Sequence, residues 1–181
     1  MEKIFAVYAE VEIPNIPDWL VEFRKKYSEP YDFHITLKQP VFIEESEIPK
    51  LKEKLRTFFE EYKGSFSMNF NENYLGADKS CIMLGLKGNS PIVSLQRGLV
   101  NCLDNYNEYV DSATEKFENN FVPHITIGDK LNKTRYEQAL KDLPKDFFNV
   151  KGVVNDIVLV VVKEATVEEA LKPENLTKFT L

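Results

Sequence analysis

Apolar residues recur along the chain in two rhythms. β-branched or aromatic runs, continuous or alternating with polar residues, predict strands, and repeats every three or four residues predict helices. Residues 4–13 read as a first strand. Pro17 suits the opening turn of a helix with Leu20, Phe23 and Tyr27 on one face. Residues 32–37 alternate and predict a strand with two distinct faces. Ser46 is placed to cap a longer helix whose Ile48, Leu51, Leu55, Phe58 and Tyr62 share a stripe, closed by Gly64. Strands at 65–74 and 80–87 flank a Gly-Ala-Asp-Lys turn and predict a hairpin.

Ser90-Pro91 then starts the clearest helix, with Ile92, Leu95, Leu99, Cys102 or Leu103, and Tyr106 inward. The polar stretch 111–120 reads as an exposed loop, a candidate lid, before a strand at 121–128. Thr134 caps a helix carrying Tyr136, Ala139, Leu140 and Leu143. Residues 147–153 and 156–162 predict a second hairpin, Thr166-Val-Glu-Glu169 has capping-box spacing, and 176–181 can pair as a last strand. Both halves therefore run helix, two-faced strand, helix, hairpin. A pseudo-twofold pair of intimately packed lobes within one domain, 1–181, accounts for that order.

The repeat carries chemistry. The chain has two histidines, and each opens a His-Ile-Thr frame on a predicted strand: His34-Ile35-Thr36 and His124-Ile125-Thr126. A strand's period of two puts His34, Thr36 and Lys38 on one face, and His124, Thr126 and Gly128 on the corresponding face of the second copy. A lone histidine on a strand is ordinarily a satisfied, partly buried residue. All the histidines of a protein in identical frames half a chain length apart point instead to paired acid–base catalysis. Imidazole titrates near pH ~6.5, so one ring can accept a proton while the other donates one. The Thr36 and Thr126 hydroxyls can donate to the nonbridging oxygens of a phosphate. Lys38 is a further candidate for those oxygens, although a lysine at a strand end is ordinarily solvated.

Length and charge narrow the class. The 181 residues suffice for one domain with a sizeable core, and 43% hydrophobic against 29% charged residues is the balance of a folded protein. A net charge of −6 argues against a long polyanion wrapped on a basic face. Cys81 and Cys102 make no Cys-x-x-Cys frame, and the longest aliphatic run, 157–162, is too short to span a bilayer. A cytoplasmic protein with no membrane association and no disulfide framework is expected. Two histidines alone leave zinc short of ligands even with Asp32 or Asp129, so no metal is expected. No glycine-rich nucleotide loop or nucleophile elbow is present, and no cofactor is expected.

The motifs His34-Ile35-Thr36-Leu37 and His124-Ile125-Thr126-Ile127 resemble the paired His-x-Thr-x signature of the two-histidine phosphoesterases, the group of the 2′-5′ RNA ligases and RNA cyclic phosphodiesterases. Asn120 through Gly128 is especially similar to the second motif of small bacterial members. The resemblance extends over the whole chain in length, motif spacing and element order. It implies a bilobal α+β fold with an antiparallel sheet in each lobe, helices outside and the motifs facing across a central groove. It also implies metal-independent opening of 2′,3′-cyclic phosphates or cleavage of 2′-5′ linkages, with His34 as proton donor, His124 as acceptor, and Thr36 and Thr126 holding the phosphate. The expected partner is an RNA end or a small oligonucleotide, with no stable complex with long nucleic acid. A monomer is expected. Two alternatives stay open: hydrolysis of a cyclic nucleotide, cyclic oligonucleotide or 2′-5′ oligoadenylate signal, and a nucleotide-binding module without turnover. Tyr8, Tyr31, Tyr74 and Phe117 are candidates for stacking on a base.

Overall fold

A computed structural model describes residues 1–29, 31–75, 79–86, 91–145 and 149–181. Eight strands form two antiparallel sheets of four. The first contains β1 (Glu2–Glu10), β2 (His34–Glu44), β7 (Asp156–Val162) and β8 (Leu176–Thr180) in the order β2-β1-β7-β8. The second contains β3 (Phe66–Leu75), β4 (Ile82–Leu86), β5 (His124–Gly128) and β6 (Val150–Val154) in the order β5-β4-β3-β6. The first and last segments of the chain thus share one sheet, while the middle builds the other. The lobes are not the two sequence halves.

Helix α1 (Asp18–Tyr27) buries Leu20, Phe23 and Tyr27, the stripe its periodicity predicts. Helix α2 (Ile48–Glu60) buries Leu51, Leu55 and Phe59, with Ile48, Phe58 and Tyr62 partly covered. Ser46 is not its cap, because a 3-10 turn at Glu45–Glu47 runs directly into the helix. Helix α3 (Pro91–Cys102) buries Ile92, Leu95, Gln96 and Leu99. The predicted Ser90 cap and the tip of the first hairpin, 76–78, lie outside the described residues.

Each motif strand is an outer strand of its sheet, and β2 and β5 approach within 8 Å Cα to Cα. The supporting helices are exchanged between halves: α1 packs on β5 and α3 on β2. Gly128 illustrates the first of these contacts, since a Cβ there would stand 3.5 Å from Phe23 and Tyr27 of α1. Helix α5 (Lys133–Asp142) is capped by Asn132, whose side chain accepts from the Arg135 amide, rather than by Thr134.

Three expectations are corrected. Residues 150–154 and 156–162 are not a hairpin: β6 pairs with β3, and β7 pairs with β1 and β8. Asn155 alone separates the two strands, too few residues to reverse direction, so the chain steps from one sheet to the other. Phe147 and Phe148, placed in this strand by the sequence, lie outside the described residues. The seam is tight, because Glu12 and Val153 exchange backbone hydrogen bonds of 2.8 Å and a Cβ on Gly152 would come within 2.7 Å of Val11 and 2.9 Å of Phe70.

The stretch 111–120 is not an open loop. Asp111 accepts from the Ala113 amide and starts a 3-10 turn, Ser112–Thr114, followed by α4 (Glu115–Asn119). Strand β2 also runs on to Glu44, well past the predicted end, and its register against β1 shifts on both sides of the Val7–Lys38 pair. Leu37 and Lys38 are both buried as a result, which breaks the alternation of faces. Helix α6 (Val167–Ala170) has the predicted Thr166 cap, with the Glu169 amide donating to Oγ1 at 3.2 Å.

Candidate active site

The two motif strands present their residues in the same way. Positions 31–38 and 121–128 have one burial pattern, with each histidine and threonine half-buried between buried aliphatic residues. Ile35, Leu37, Ile125 and Ile127 face the core, as alternation requires. Each imidazole is then held identically. His34 Nδ1 donates to the Asp32 carbonyl at 3.0 Å, and His124 Nδ1 donates to the Val122 carbonyl at 2.7 Å. A carbonyl can only accept, so Nδ1 carries the proton in both rings and Nε2 is left to exchange one.

Burial is the main cause holding both histidines below their ordinary pKa, because a charged imidazole loses solvation there. The hydrogen bonds to Asp32 and Val122 act in the opposite direction. The charge of Arg24 further depresses His34, and the charge of His34 further depresses His124. That last effect marks the two rings as electrostatic neighbours across the junction of the sheets.

His34 and Thr36 open onto a cavity of about 550 Å³ above the first sheet. Tyr8 and Tyr31 flank His34, with ring centroids 5.2 and 5.5 Å from the imidazole. Burial first, then the charges of Glu10 and Asp32, push the Tyr8 phenol up to about 12. Burial and its bond to Asp129 raise Tyr31 as well, so both stay neutral phenols. His124 and Thr126, half-buried on β5, do not line this cavity.

Lys38 is not with them. It is 2% exposed and paired with Glu118 Oε1 at 2.6 Å, under the Tyr109 ring. Glu118 also accepts from the Gln39 amide at 2.8 Å and from the Tyr109 hydroxyl at 2.7 Å. The register shift that buries Lys38 is the physical reason it leaves the face of His34 and Thr36. Among the stacking candidates, Tyr8 and Tyr31 stand at the site, Phe117 is 61% exposed on α4, and the Tyr74 side chain lies outside the described residues.

Asp129, considered from sequence only as a metal ligand, does different work. Its carboxylate accepts from the Tyr31 hydroxyl at 2.8 Å and from the Glu29 amide at 3.0 Å, and its own amide donates to the Tyr27 carbonyl at 3.0 Å. The residue just past the second motif therefore fixes the loop just before the first. Its place directly after Gly128 was the available signal. Among the described residues, no three His, Cys, Asp or Glu side chains gather where they could hold a metal ion.

The family model of the 2′-5′ RNA ligase superfamily matches residues 14–166. The chain belongs to the 2′-5′ RNA ligase superfamily. Solved structures similar to this superfamily member include Escherichia coli LigT complexed with 3′-AMP, at 12% identity and TM-score 0.58, covering 100% of this chain and 96% of that one. Kluyveromyces marxianus Usb1 is similar at 11% identity and TM-score 0.56, covering 98% of each chain. The Thermus thermophilus protein TT0787 is similar at 17% identity and TM-score 0.57, covering 99% and 94%. At these identities the likeness is one of fold, and it agrees with the mixed helix and sheet architecture expected of the two-histidine phosphoesterases. No curated protein sequence matches the chain. Among the described residues, no helix is long and apolar enough to cross a membrane.

Proposed function

We propose that this superfamily member is a metal-independent phosphodiesterase that hydrolyses 2′,3′-cyclic phosphate ends or 2′-5′ linkages of RNA or short oligonucleotides. The observation that carries the reading is the matched pair of Nδ1–H bonds to the carbonyls two residues upstream, at 3.0 and 2.7 Å. Both rings are oriented by backbone and both keep Nε2 for proton exchange. In the productive state His34 carries a proton on Nε2 and His124 does not. His124 takes a proton from water as the water oxygen bonds to phosphorus. The bond from phosphorus to the departing ribose oxygen breaks, and His34 delivers its proton to that oxygen.

Thr36 and Thr126 donate to the nonbridging oxygens, where negative charge grows in the transition state. Arrival of the anionic phosphodiester favours the charged imidazole and offsets the depression caused by burial. Lys38 has no part in this reading, because Glu118 holds its charge. A cytoplasmic enzyme acting on small substrates fits the free Cys81 and Cys102 and the net negative charge.

The test is single-turnover cleavage of a 2′,3′-cyclic phosphate dinucleotide in EDTA. Wild type should keep its rate in the chelator, and His34→Ala and His124→Ala should each lose about 10²–10⁴-fold. Loss of the wild-type rate in EDTA, or either variant retaining it, would overturn the mechanism.

A further inference from the structure

The cavity beside His34 reaches well beyond the reacting groups, and its lining changes character along its length. At the motif end it is polar, with Tyr8, Tyr31, Thr36 and Gln39. Away from the motif, its floor is the outer face of the first sheet, including Ile4, Ala6, Val160 and Val162, and its far wall is the Val167–Leu171 segment of α6. Ile4, Val160 and Val162 form a hydrophobic cluster separate from the main core, with Ala170 and Leu176 packed against it. A sheet face covered on one side only by a short helix leaves apolar area open to a ligand.

The charge of the lining is as informative. Among the described residues it includes three carboxylates, Glu10, Asp32 and Asp129, and neither lysine nor arginine. The nearby Lys178 is held by Glu10 at 2.6 Å, and Lys38 is consumed by Glu118. A nucleic acid strand running along this wall would bring further phosphates against acids with no cation to answer them.

We propose that the cavity between the first sheet and α6 is a subsite for the uncharged end of the substrate, a nucleobase with its ribose, and that it selects a ligand with a single phosphate at the histidines over one with a second phosphate. The apolar floor takes the flat face of the base, and the carboxylate lining rejects the additional charge. This rests on the phosphodiesterase reading for the placement of the reacting phosphate, and it adds which end of the molecule enters the cavity and what that end must lack.

Calorimetric titration of the intact protein with product-like ligands separates the two ideas. Adenosine 3′-phosphate should bind at least tenfold more tightly than ribose 3-phosphate, which lacks the base, and at least tenfold more tightly than adenosine 3′,5′-bisphosphate. Ala170→Trp, which fills the cavity far from the histidines, should weaken adenosine 3′-phosphate at least tenfold and leave ribose 3-phosphate unchanged. Leu171→Lys, at a position 49% exposed and therefore safe for folding, should narrow the penalty on the bisphosphate. Equal binding of base-bearing and base-free ligands, tighter binding of the bisphosphate, or no effect of Leu171→Lys on the penalty would overturn the subsite. If the binding pattern holds while wild type turns over no cyclic phosphate, the catalytic reading fails and the subsite stands.

Discussion

Strands β2 and β5 are alike through the His-x-Thr frame and part company directly after it. Up to Leu37 and Ile127 they share burial pattern, core-facing residues and the bond from Nδ1 to a carbonyl two residues upstream. The accepting carbonyls belong to Asp32 and Val122, a charged and an aliphatic residue, so the orientation of the rings depends on backbone and tolerates any side chain there. Past the frame, β2 shifts register, turns Lys38 inward and continues to Glu44, whereas β5 ends at Gly128 and hands the chain to Asp129. Duplication has preserved the reacting groups while each copy is braced by a different device: a buried ion pair for β2, and for β5 a carboxylate reaching back to the other motif's loop.

The largest difference between the copies should appear in stability. Glu118→Ala leaves the buried Lys38 charge, the Gln39 amide and the Tyr109 hydroxyl without their acceptor. Breaking a buried pair in this way costs about 3–5 kcal/mol. Adding Lys38→Met should recover part of it, since the stranded charge is gone while the Gln39 amide stays unpaired. At the matching position of β5, Gly128→Ala should stay within about 1 kcal/mol of wild type, because the new Cβ meets Leu131, Phe23 and Tyr27 at an ordinary 3.5 Å. Urea denaturation of the four proteins checks the asymmetry, and equal costs at Glu118 and Gly128 would dissolve it.

A smaller effect is expected where one motif supports the other. Asp129→Ala removes the acceptor of the Tyr31 hydroxyl and the Glu29 amide, for a loss of about 1–3 kcal/mol. The loop it releases carries Asp32, whose carbonyl orients His34. Cleavage of the cyclic phosphate should therefore slow through kcat more than through KM. Asp129→Asn, which keeps an accepting oxygen, should restore most of both. A loss of stability with kcat untouched would make Asp129 a fold residue only.

Legibility in the sequence follows the same boundary. The helical stripes of α1 and α3 and the faces of His34 to Leu37 and His124 to Ile127 are set by local period, and local period is what a sequence displays. Lys38 escaped because its inward turn depends on the register of β2 against β1, a property of two strands together. The helix at Glu115–Asn119 escaped because its anchor, Glu118, finds its partner 80 positions away at Lys38. Asp129 reaches Tyr31 across 98 positions and Glu29 across 100. The exchange of β7 into the first sheet turns on a single-residue connection at Asn155, where one residue more would have permitted the hairpin that the pattern predicts.

The subtlest test of the comparison is a titration. The charged form of His34 depresses His124, so removing that ring should let His124 rise toward the ordinary value near 6.5. Imidazole proton shifts followed by NMR in wild type and His34→Ala read this directly, without reference to activity. A His124 curve unmoved by the substitution would mean that the rings do not sense one another, and paired catalysis would lose its physical basis. Linkage fixes the sign in stability as well. Each native histidine has its pKa below the unfolded one, so the unfolded chain binds more protons in the window between the depressed native value and about 6.5. Stability should fall as pH drops through that window, and His34→Ala should lessen the slope twice over, by removing one depressed group and by relaxing the other.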